Sequence, residues 1–114
     1  MRTLGQETAI ADVVREAHAA GRAIAIVPAG DDKADSIARF GEVLGFPDWF
    51  GHNLDALFDC LLQRYRRAPE SELVWDGTAG LRERDAPAFD RIRQVLSDAE
   101  AECPALSVTI LDRM

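Results

Sequence analysis

The residues of this chain best equipped for chemistry crowd into one stretch, LGFPDWFGHNLDALFDCL, from Leu44 to Leu61. It holds His52, Asp55, Asp59 and Cys60, types that ligate metals or move protons. Their spacing decides what they can do together. If the run from Asn53 is helical, Asp55 and Asp59 fall about 40° apart on one flank, while Cys60 projects about 100° from Asp59. That geometry argues against a metal site, and no metal or other cofactor is expected. No H-E-x-x-H, glycine-rich phosphate loop or nucleophile elbow occurs in the chain.

Two carboxylates can share acid–base work only in a cleft that drives their pKa values apart. Outside a cleft they are either solvated side chains on a polar face or part of a binding surface. Like charges at this spacing cost an isolated helix about 0.2–0.5 kcal/mol. Asp55 recovers some of that in the first turn, where the helix dipole favours an anion, but Asp59 lies too far along to gain much. The neighbourhood favours binding. Trp49 and Phe50 precede the helix in a short loop with Gly51 and His52, and large rigid side chains beside charge make an interface hot spot. Phe50 is expected to plug the core instead, and His52 taken alone is an ordinary loop residue. The reading is therefore a binding protein with no catalytic residue, a carboxylate hydrolase being the enzymatic alternative.

The elements that must position these residues follow from hydrophobic periodicity. Apolar residues at Ile10, Val13, Val14 and Ala17 mark a helix over about residues 7–20, closed by Gly21. Arg22 to Pro28 is a short apolar run that predicts a strand buried on both faces. Asp31 or Asp32 caps a second helix with Ile37, Phe40, Val43 and Leu44 inward, stopped by Gly45 and Pro47. Asn53 caps the next, whose stripe is Leu54, Leu57, Phe58, Leu61 and Leu62. Arg64, Arg66 and Arg67 at its far end read as a solvated helix terminus suited to the dipole. A strand is expected around Leu73 to Trp75. A helix capped by Asp85 then buries Phe89, Ile92, Val95, Leu96 and Ala99, and LSVTIL forms the last strand. Strands separated by helices predict an α/β fold with a small three-stranded parallel sheet. With so few strands, little cleft is expected.

Composition narrows the partners. The chain has 114 residues, one domain's length, and a formal net charge of -7. Such a charge argues against nucleic-acid binding, which needs cations to displace phosphate counterions, and it suits a basic protein partner. Solubility alone would also account for it. Cys60 and Cys103 lack CxxC spacing and are expected to be free and buried. No signal peptide or membrane-length apolar run is evident, so a cytoplasmic protein without membrane contact is expected.

The order strand, helix, aromatic loop, then GHNLDALFDCL on a helix resembles the barstar family, inhibitors of small basic ribonucleases. The likeness is specific over Gly51 to Leu61 and extends more weakly over residues 23–111. It implies a barstar-like domain at residues 23–114 behind an N-terminal helical extension at residues 1–22. It also implies a 1:1 complex with a basic, extracellular-type, barnase-like ribonuclease, as an immunity protein would form. The alternative is a binding module of the same fold for another toxin or regulator. By resemblance, Asp59 is the carboxylate that enters the phosphate site and Asp55 is the second acid. Trp49 stacks on the enzyme, and Gly51 and Asn53 shape the loop-to-helix turn. Asp98, where barstar has glutamate, and Glu102 are acids of the rim. The chain departs from the pattern at four places: Phe58 stands for a tryptophan, His52 for an acid, Asp98 for the longer glutamate, and Arg64 or Tyr65 for an interface tryptophan. The helix of residues 1–22 has no counterpart in barstar and is expected to cover a sheet face.

Overall fold

The computed structural model describes residues 1–47 and 49–114, so Asp48 in the aromatic connector lies outside the described residues. The chain runs β1 (Arg2–Leu4), α1 (Ile10–Ala19), β2 (Ala23–Pro28), α2 (Lys33–Leu44), α3 (Leu54–Tyr65), β3 (Ser71–Asp76), α4 (Ala79–Arg84), α5 (Ala86–Glu102) and β4 (Leu106–Leu111). The strands form one sheet in the order β1-β4-β3-β2, with every neighbouring pair parallel.

The three-stranded sheet expected from the sequence is corrected to four. The added strand is only three residues long, with Arg2 opposite Thr109, Thr3 opposite Ile110 and Leu4 opposite Leu111. So short a segment carries no periodic signal of its own; it is a strand because β4 offers it an unpaired edge. The reading of β2 as buried on both faces is corrected too. It is the opposite edge strand, and of its residues only Val27 is fully enclosed. The strand buried on both faces is β3, where all but Asp76 are inaccessible. Helix α4 was not expected from the sequence.

One face of the sheet carries the main core. Leu73 and Trp75 of β3 and Val108 and Ile110 of β4 meet Ile37 and Phe40 of α2, Leu57 and Leu61 of α3, and Ile92 and Leu96 of α5. Each such fully buried aliphatic side chain contributes about 1.5–3 kcal/mol relative to exposure. Trp75 stacks on Phe89 at 5.5 Å and leans on Phe40 at 6.1 Å. In α2, Val43 faces solvent rather than the core, and Ser36 is buried in its stead, its hydroxyl accepting from the Gly30 amide at 3.0 Å.

The other face is thinner. Val13 of α1 packs on Val74 and Leu111, with Leu4, Ile24 and Ile26 around them. Helix α1 thus packs on this face of the sheet. That layer also encloses a charge: Glu72 of β3 is fully buried, accepting from Thr109 Oγ1 at 2.8 Å, Arg2 at 3.2 Å and Arg22 at 3.3 Å.

Candidate functional site

Helix α3 is set in place by its two ends and by the loop before it. Gly45 closes α2 in the left-handed conformation, with φ 67 and ψ 41, which glycine adopts without steric cost. The chain then turns back over α2. Phe50 sits against Gly41, where an added Cβ would come within 2.8 Å of the ring, and Phe46 meets Phe50 edge-on at 5.1 Å. Phe50 is half-buried against the core, in line with its expected role as a plug. Trp49 takes the other direction and is 61% exposed.

Asn53 starts the helix as its N-cap, with Oδ1 accepting from the Ala56 amide at 2.8 Å and Nδ2 donating to the Gly51 carbonyl at 3.3 Å. Such a cap is worth about 1 kcal/mol. Between them, His52 adopts a φ of 46, a left-handed value that a side chain takes at a cost of about 1–3 kcal/mol. Its ring lies edge-on to Phe50 at 5.2 Å, and the residue is exposed.

Once capped, α3 buries Leu57, Cys60, Leu61 and Tyr65. The buried stripe is therefore rotated from the expected one: Leu54, Phe58 and Leu62 are only half-buried at its margin. This rotation leaves Asp55 and Asp59 exposed on one flank, as the spacing predicts. It also draws Tyr65 inside, so of the two residues that the resemblance sets in place of a tryptophan only Arg64 remains at the surface, lying over the Tyr65 ring at 5.4 Å.

Asp59 and Trp49 line one open, shallow depression together with Leu62, Gln63, Arg66 and Arg67. Among the described residues neither Asp59 nor these two arginines has an ion-pair partner within 4.0 Å. The remaining residues singled out in the sequence stand elsewhere. His52 borders a separate hollow with Phe46 and Phe50. Asp98 and Glu102 are exposed on α5, which packs beside α3; Asp98 accepts from Gln94 Nε2 at 2.9 Å. From the sequence Arg66 and Arg67 read as a solvated helix end alone. The signal that ties Arg66 to the site is its place seven residues after Asp59, about two turns on and nearly the same face.

Cys60 and Cys103 are free and buried. Burial pushes both thiols up, with the charge of Asp59 adding to the rise at Cys60. At Cys103, Arg66 opposes the rise and Glu102 adds to it, so the ends of α3 and α5 meet around this thiol. The shift at both sulfurs is away from the thiolate, the reactive form. Among the described residues no three His, Cys, Asp or Glu side chains converge to hold a metal ion.

At the carboxyl edge of the sheet, where an α/β enzyme usually builds its site, charged side chains pair with one another. Arg113 grips Asp76 through two bonds at 2.8 Å and 3.1 Å, and Asp112 accepts from Thr78 and Arg82. Among the described residues no helix is long and apolar enough to cross a membrane.

No curated protein matches this chain at a significant level. A family model does, and its description is Barstar (barnase inhibitor). The match runs over residues 23–111, from β2 to the end of β4, taking in the aromatic loop and α3, and by it the chain belongs to the barstar family.

Proposed function

We propose that this protein inhibits a basic, barnase-like ribonuclease by setting the exposed flank of α3 and the loop before it into the enzyme's active site, one molecule to one enzyme, within the cytoplasm. The observation that carries the reading is the pairing of Asp59 with Trp49 on one depression, the carboxylate lacking an ion-pair partner among the described residues. A ribonuclease holds its phosphodiester with cationic side chains. A carboxylate can take the phosphate's place there, and against Arg the charge-assisted bonds are strong and directional. Asp55 supplies a second charge one turn earlier, Trp49 an aromatic contact, and Gly51, His52 and Asn53 the loop that faces the enzyme. Asp98 and Glu102 serve as acidic rim residues on the neighbouring helix.

The family membership supports an inhibitor of this kind, and the net charge of -7 supports a basic partner. The same face, which carries arginines as well as Asp59, also admits a second reading, a partner other than a ribonuclease. Direct titration against a panel of basic microbial ribonucleases at two salt concentrations separates the two. Stoichiometric inhibition is expected, with association slower at high salt because the encounter is charge-steered. A panel left fully active by excess protein would reject the ribonuclease.

A further inference from the structure

Arg66 and Arg67 close α3, and the dipole of a helix favours a cation at that end. That accounts for a positive charge, but not for two exposed guanidiniums on the rim of the depression that holds Asp59. Arg64, between them and the helix body, is engaged over the Tyr65 ring. Arg66 continues the helical backbone, with φ -57 and ψ -35. It therefore stands about 10 Å beyond Asp59 along the axis and only about 20° around it. Along one flank α3 presents Asp55 and Asp59, then half-buried Leu62 with Gln63, then Arg66, and Arg67 just past the helix end lines the same depression as Asp59.

We infer that this flank is a docking stripe of two signs, whose partner carries cations opposite Asp55 and Asp59 and a carboxylate about two helical turns away, opposite Arg66 and Arg67. The inference rests on the proposed inhibition of a ribonuclease and specifies which ribonucleases are chosen: those whose cationic cleft has an acidic side chain on its rim. A guanidinium matches a carboxylate through paired parallel bonds, so the contact selects by geometry as well as by sign. A cleft bordered only by Lys and Arg would meet Arg66 and Arg67 as like charges, which disfavours it. A nucleic acid is the poorer occupant. Its run of phosphates would cross Asp55 and Asp59 as well, on a protein of net charge -7.

The test uses the full chain against purified basic ribonucleases of known structure, sorted by whether a carboxylate lies on the rim at that spacing. Inhibition constants are measured for the wild type, for Arg66→Glu/Arg67→Glu and for the neutral Arg66→Gln/Arg67→Gln, which places no repulsive charge at the helix end. The wild type should prefer acidic-rimmed enzymes. The glutamate pair should weaken their inhibition by about tenfold or more and strengthen that of wholly basic ones, with the glutamine pair between. An unchanged ranking across the three proteins, with Asp59→Ala still weakening inhibition, overturns the inference and leaves the inhibitor reading standing. Failure of the wild type to inhibit any enzyme overturns both. Binding of a labelled single-stranded RNA oligomer, lost in the glutamate pair, would overturn it in favour of nucleic acid.

Discussion

Glu72 and Asp59 are both carboxylates on regular elements close to the middle of the chain, yet they stand in opposite circumstances. Glu72 is enclosed on the central strand, its side chain 0% exposed, and its oxygens are taken up by Thr109, Arg2 and Arg22. Asp59 lies open on α3 beside Trp49, with no ion-pair partner among the described residues. A carboxylate taken out of water must find cations and donors within the fold, because an uncompensated buried charge costs several kcal/mol. One left in water carries no such obligation, and its charge is available to another molecule. The first carboxylate is committed to contacts within the fold, and the second is the one that the proposed function assigns to recognition.

The contrast is broken most directly at Asp59. Asp59→Ala should weaken binding to a ribonuclease that the protein inhibits by about 2–5 kcal/mol, the general cost of truncating one partner of a buried charge pair, a rule for which barnase–barstar is itself a measured case. The melting temperature should hardly move, because an exposed helical Asp contributes within about 0.5 kcal/mol. A fall in melting temperature that matches the loss of binding would make Asp59 a folding residue and erase the distinction.

The buried charge gives an asymmetry that urea denaturation can read. Arg2→Ala/Arg22→Ala strands the enclosed carboxylate and should cost about 3–5 kcal/mol. Glu72→Gln should cost less, about 1–3 kcal/mol. The amide oxygen still accepts from Thr109, and the two arginines, 40% and 32% exposed, can turn their charge to water. Equal losses would mean that the arginines act through the packing of their stems rather than through charge.

The smallest effect sharpens the boundary between folding and recognition within the loop. His52→Gly should raise stability by up to about 1 kcal/mol in thermal melting, since glycine takes a φ of 46 without strain. The lost edge contact with Phe50 offsets part of that gain. A more stable variant that inhibits less well would place the His52 ring among the binding groups; unchanged inhibition would leave it outside them.

Much of the site was legible because it is built from local signals. The Asn53 cap, the paired aspartates on the helix flank and the last strand, Leu106–Leu111, are each set by residues within one or two turns of one another. The resemblance over Gly51 to Leu61 added the family. Legibility failed wherever an outcome depended on residues distant in the chain. Whether Ala23–Pro28 was central or edge depended on strand order, which its own apolar run does not encode.

The sequence by itself determined the α/β class, the helix that carries Asp55 and Asp59, and the net charge that suits a basic partner, because periodicity, capping and charge are properties of neighbouring residues. Only the tertiary structure made Arg2–Leu4 a strand and enclosed Glu72 between Arg2, Arg22 and Thr109. It alone turned Trp49 outward while Phe50 settled on Gly41, and set Arg66 and Arg67 on the rim of Asp59's depression. Those outcomes rest on contacts across the fold, where an available sheet edge, a missing Cβ or the rotation of one helix about its axis decides which side chains meet.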